Sequence, residues 1–156
     1  MPKTLLLGLG NDLLSDDAIG LRVAAALRER LAGHADIAVA ETTEMGLSLL
    51  DIIAGFEALM LVDAVQTRLA APGTVHEIEG DGIESLPPFA PHFLGIGEVI
   101  ALGRKLGLPV PSRVRIFAIE VQDPFTVGTS LTPLLELALP AIAARIFAAL
   151  DLPPPD

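Results

Sequence analysis

Asp17, Asp63 and His92 form a two-carboxylate, one-imidazole set. Hard carboxylate oxygens and one ring nitrogen, offered from one side, suit a divalent transition metal that keeps open coordination positions. Each residue also has a plainer reading. An aspartate at a helix start is commonly a cap, so the pair Asp16-Asp17 taken alone reads as capping, with Asp16 or Ser15 as the cap and Asp17 facing a cleft. Asp63 closes the apolar run "LMLV", where a lone carboxylate is costly to bury without a partner; structural and functional readings weigh equally there. His92, between Pro91 and Phe93, is as readily structural as ligating. His34 and His76, expected in a solvent turn and an edge strand, read as incidental.

Residues so far apart need a scaffold that brings separate loops together, and the patterning supplies one. Lys3 to Gly8 is a continuous apolar run typical of a strand buried on both faces. Ala18 to Leu31 follows as a helix, with Gly33 as its stop. Strand "DIAVAET" from Asp36, helix "GLSLLDIIAGF" from Gly46 and strand "ALMLVDAV" from Ala58 to Val65 continue the alternation. "TVHEIEG" from Thr74 alternates like a short edge strand. Pro87, Pro88 and Pro91 make "GDGIESLPPFAPHF" a loop, leading to a helix from Leu94 to Lys105 and a last strand from Ser112 to Glu120. A final helix begins with Thr132 as N-cap and Pro133 at its first position, and should kink or break at Pro140.

Strands alternating with helices predict an α/β fold, a three-layer sandwich with a mainly parallel twisted sheet flanked by helices. Residues 1–150 are expected as a single domain and 151–156, "DLPPPD", as a flexible tail. Sites in such sheets lie outside the carboxyl ends of the strands. That rule gathers Asn11, Asp16 and Asp17 after the first strand, Asp63 on the third, His92 in the loop before a helix, and Glu120 and Asp123 after the last.

Several chemistries are excluded. The turn "GLGNDL" has Gly8 and Gly10, but Leu13 stands where a dinucleotide fingerprint needs its third glycine. Asp16 and Asp17 would also repel a phosphate at that helix start and favour a cation instead. Lys and Arg total 10 against 20 Asp and Glu, a net charge of −10, which argues against nucleic-acid or anionic-membrane partners. With no cysteine, disulfides, thiolate metal sites and a cysteine nucleophile drop out together. Neither an HExxH helix nor a Gly-x-Ser-x-Gly elbow is present. The start lacks a signal-peptide cleavage pattern, and the apolar C-terminal region is broken by Glu136, Pro140 and Arg145, so a cytoplasmic protein without a membrane span is expected.

"GLGNDLLSDDAIG" resembles the opening signature of the nickel-iron hydrogenase maturation endopeptidases. The likeness continues in order through "LMLVDAV", the "APG" of Ala71 to Gly73, "PHFLGIGEVI" and "SLTPLLELALP", spanning essentially the whole chain. That resemblance implies an endopeptidase that removes the C-terminal extension from the precursor of a hydrogenase large subunit once nickel is inserted. It places the family's metal-contacting and catalytic trio on Asp17, Asp63 and His92, with Asp16 left to the turn and cap. Nickel is then carried by the substrate rather than held by the enzyme, as a recognition element and Lewis acid. Two alternatives stand beside it: a small metallohydrolase with its own permanent metal, and a non-catalytic adaptor of hydrogenase assembly. The chain departs from the family in "ETTEMG", Glu41 to Gly46, where relatives carry a glycine-rich turn after the second strand, and in "EVQDPFTVGTS".

Overall fold

The computed structural model describes residues 1–79 and 91–155, and of residues 91–94 the backbone alone. Residues 80–90 of the expected proline-rich loop lie outside the described residues. Among the described residues the strands are β1 (Thr4–Leu9), β2 (Ile37–Thr42), β3 (Ala58–Val65), β4 (Val75–Glu79) and β5 (Arg113–Glu120). The helices are α1 (Ile19–Arg30), α2 (Leu49–Ile53), α3 (Pro91–Lys105) and α4 (Pro133–Ala149). One sheet has the order β2-β1-β3-β5-β4, parallel throughout except for β4, which runs antiparallel to β5 at the edge.

Residue parity along the strands builds two apolar layers. Leu6, Val62, Phe117 and Ile119 face α1 and α4, meeting Val23, Leu27, Leu135, Ile142 and Ile146. Leu5, Leu7, Leu59, Leu61 and Ile116 face the other way, against Leu49 and Ile53 of α2 and Ile96, Val99 and Ile100 of α3. The result is the three-layer α/β sandwich that the alternation of elements predicts. Because β1, β3 and β5 are parallel neighbours, their carboxyl ends form one edge, where the candidate residues collect.

Four helical expectations need correction. The first helix does not begin at Ala18: a 3₁₀ turn, Ser15–Ala18, precedes Ile19, and no side chain caps either start. The second does not start at Gly46: a 3₁₀ turn, Gly46–Ser48, precedes α2, which ends at Ile53. The third starts at Pro91 rather than Leu94, so the backbone of His92 lies in the first turn of α3 and not in the loop before it. Proline at the first position fits because its missing N–H has no intrahelical partner there. Finally, α4 runs unbroken through Pro140. Pro140 is exposed while Leu135, Ile142 and Ile146 anchor the helix on both sides, so packing outweighs one missing hydrogen bond.

Gly8 of β1 and Gly20 of α1 serve helix-on-strand packing. A Cβ on Gly20 would sit 2.3 Å from the Leu9 carbonyl oxygen and 2.4 Å from that of Val62; one on Gly8 would sit 2.4 Å from the Gly20 oxygen. The start of α1 is thereby pressed directly onto the ends of β1 and β3. Gly20→Ala should cost about 3 kcal/mol or prevent folding, since both obstructing atoms belong to strand backbone. Urea unfolding of the variant checks this; unchanged stability would contradict the close packing.

Candidate functional site

Asp16 organises the edge. It is fully buried, and its Oδ2 accepts the amides of Gln122 (3.1 Å) and Asp123 (2.8 Å) while Oδ1 accepts the amide of Thr132 (2.7 Å). The Thr132 hydroxyl also donates to both oxygens, at 3.0 and 2.9 Å. Asp16 therefore does not cap its own helix; it holds the loop after β5 and the residue before α4. Thr132 is the N-cap residue as expected, but its hydroxyl is turned to Asp16 and makes no capping bond. Neighbouring Ser15 takes a positive φ of 37°, with its hydroxyl donating to the Ser130 carbonyl at 3.1 Å. A non-glycine residue in that conformation is strained and persists because the contacts around it over-determine the turn.

Asp17 is half-buried on the same 3₁₀ turn, its amide donating to the Leu14 carbonyl at 2.8 Å. Asp63 is fully buried on β3. It shares parity with Leu59, Leu61 and Val65, which directs it to the face covered by α2 and α3. One of its contacts is the Ala64 amide, which donates to Oδ1 at 2.7 Å. Gly20 touches the carbonyl of Val62, the residue before Asp63, so the start of α1 and the end of β3 meet at one corner. The His92 imidazole lies outside the described side chains, and only the position of its backbone in the first turn of α3 is given. Among the described residues no three His, Asp or Glu side chains are grouped to hold a metal.

The other edge residues have identifiable tasks. Asn11 Oδ1 accepts the Leu13 amide at 2.9 Å, closing the turn after β1. Asp123 accepts the Phe125 and Thr126 amides at 3.0 Å each, as well as the Thr126 hydroxyl. The Thr126 hydroxyl first, then the two amides, hold its carboxyl below the usual aspartate range. In the Glu41–Gly46 loop, Glu41 pairs with Arg28 of α1 at 2.9 Å, and Gly46 supplies a left-handed residue with φ of 73°. A left-handed position is thus retained in that loop.

His76 is not incidental. Its Nε2 lies 3.1 Å from Oε1 of Glu120, a buried carboxylate that also receives the Thr67 hydroxyl and the amides of Thr67 (2.8 Å) and Arg68 (3.3 Å). His76 lies in the edge strand, as expected, but strand direction brings it to the carboxyl ends of the parallel strands. An antiparallel edge strand starts where its neighbour ends, and β4 pairs His76 with Ala118, two residues before the end of β5.

Fold and site together define a small α/β domain whose polar residues crowd the carboxyl edge of a mainly parallel sheet. The profile of the HycI family, described as hydrogenase maturation protease, matches residues 21–149. The chain belongs to the hydrogenase maturation protease family and is an endopeptidase of hydrogenase maturation. The Hydrogenase 2 maturation protease of Escherichia coli K12 is 28% identical over 150 residues, covering 95% of this chain and 90% of that protein. The hydrogenase expression/formation protein HupD of Thiocapsa roseopersicina is 28% identical over 153 residues, covering 91% and 68%. Among solved structures, the hydrogenase maturating endopeptidase HybD from E. coli superposes with a TM-score of 0.78 at 26% identity, covering 97% of this chain and 93% of that one. The HybD protease from Thermococcus kodakarensis, at a TM-score of 0.69 and 22% identity over 96% and 99% of the two chains, shares the fold. Neither a permanent-metal hydrolase nor an assembly adaptor is favoured by this company.

Burial alone would raise the Glu120 carboxyl, but the hydrogen bonds from Thr67, His76 and the Thr67 and Arg68 amides together hold it below the ordinary glutamate value of 4.5. A carboxyl lowered by folding stabilises the fold at pH values above the unfolded value, and that contribution is lost as pH falls through the folded value. Glu120→Gln should therefore be less stable than the parent at pH 6, with the gap shrinking below about pH 4. Urea unfolding at the two pH values measures it; a gap that is constant with pH would contradict the ionised, hydrogen-bonded Glu120.

Proposed function

We propose that this endopeptidase removes the C-terminal extension from the precursor of a nickel-iron hydrogenase large subunit after nickel has been inserted, and that it does so in the cytoplasm. The carrying observation is the buried Asp63 carboxylate near the carboxyl end of β3, on the face covered by the helix whose first turn contains His92. Close beside it, the turn bearing Asp17 is packed on the ends of β1 and β3. Two carboxylates and an imidazole suit nickel borne by the substrate, leaving positions open for the substrate's own ligands. Among the described residues no helix is long and apolar enough to cross a membrane, in keeping with a site that meets its substrate in solution.

In this reading Asp17, Asp63 and His92 engage the substrate's nickel and so dock the scissile peptide at the edge. Nickel in the substrate supplies Lewis acidity for the carbonyl. Asp17, half-buried on the rim, is the carboxylate with access to water; it takes the proton as water attacks the carbonyl carbon and returns it to the leaving amine. Asp63, sunk in the sheet, orients the docked centre.

Asp63→Asn and His92→Ala should each slow cleavage of a nickel-loaded precursor by about 100-fold, with thermal unfolding close to the parent for His92→Ala. Affinity for nickel or zinc should fall in parallel, and should fall in the parent as pH drops below about 6.5, because a ligating imidazole must be neutral. Undiminished metal binding and cleavage in Asp63→Asn would remove that residue from the trio.

A further inference from the structure

Five large apolar side chains stand exposed in segments that converge on Asp16: Leu13, Phe125, Val127, Leu134 and Leu137. Phe125, Val127 and Leu137 are 72%, 81% and 84% exposed. Scattered surface leucines need no explanation, but these are held together. The Gly128 amide donates to the Leu13 carbonyl at 2.9 Å and the Ser15 amide to the Gly128 carbonyl at 3.0 Å, forming a parallel bridge between Leu14 and Gly128. The Phe125 amide is fixed on Asp123, itself tethered to Asp16. Thr132, also on Asp16, sets the start of α4, where Leu134 and Leu137 are neighbours three residues apart. The apolar groups thus ride on a pinned platform next to Asp17.

Its charge is one-sided. No Lys or Arg occurs between Lys3 and Arg22 or between Arg115 and Arg145, whereas those stretches carry Asp12, Asp17, Asp123 and Glu136 outside the core, Asp16 and Glu120 being buried. Of the flanking cations, Arg22 is already paired with Glu136 at 2.7 Å. An acidic surface with an apolar centre fits a partner that is apolar and basic. A second copy of this chain would bring the same acidic surface against itself in a two-fold contact, with like charges opposed.

We propose that this platform is the docking surface for the protein substrate, engaging a segment of the precursor that combines apolar and basic side chains. The proposal rests on the maturation reading above and deepens it: the metal-reading edge recognises the loaded centre, while the platform supplies affinity for the polypeptide around it.

The test compares the parent with the double variant Phe125→Ser, Val127→Ser, and with Leu106→Ser, an exposed leucine at the opposite edge of the sheet. Binding of the purified nickel-loaded precursor is measured by interferometry, and its cleavage in steady state. The double variant should bind about tenfold more weakly and raise KM to match, with unfolding temperature unchanged, and Leu106→Ser should behave as the parent. Parent affinity should fall as salt rises from about 50 to 300 mM, because the basic partner is drawn to the acidic rim. Unchanged precursor binding in the double variant would overturn the proposal, and so would a parent dimer that the double substitution dissociates without weakening precursor binding. If the parent binds but never cleaves the precursor, the maturation reading fails by itself, and the binding comparison still decides the docking surface.

Discussion

Burying the Asp16 carboxylate is the constraint on which the functional edge depends. Its named partners are three backbone amides and a hydroxyl, drawn from positions more than 100 residues away in the chain. A buried charge is tolerated when hydrogen bonds replace its hydration, and removing it would leave several amides without their acceptor. The same group fixes three things at once: the 3₁₀ turn that carries Asp17, the loop after β5, and the start of α4. Rigid supports of this kind are what a docking or catalytic residue needs, because loop side chains are otherwise poorly held.

Close backbone packing works with that clamp. Gly8 and Gly20 let α1 lie directly on β1 and β3, which holds the turn before the helix at the strand ends. The glycines of this strand-turn-helix therefore have a packing role, leaving room for the backbones of β1, β3 and α1 to meet. The acidic pair divides accordingly, Asp16 turned inward to build and Asp17 left on the rim.

Most of the fold was legible because buried parallel strands and amphipathic helices announce themselves locally. The run Ala58 to Val65 coincides with β3, and the alternating segment from Thr74 is the edge strand β4. What escaped was long-range or directional. No local pattern tells that Asp16 reaches Gln122, Asp123 and Thr132, so capping was the natural expectation. Likewise His76 could be matched to Glu120 only by knowing that β4 reverses direction. The start of α3 was within reach, since Pro91 is a proper first helical residue, but the preceding prolines masked it as loop. Pro140 shows the opposite error, a breaker overruled by packing on both sides.

In the function we propose, the enzyme samples nickel in its substrate and does not own it. Three oxygen and nitrogen ligands without a thiolate should hold nickel modestly beside the cysteine-bearing centre of a client. The direct measurement is cleavage by metal-stripped enzyme of two precursors, one nickel-loaded and one nickel-free. The account predicts that the loaded precursor is processed without added metal, and that the nickel-free one is ignored even when free nickel saturates the enzyme. Processing of the nickel-free precursor by metal-reconstituted enzyme would contradict it.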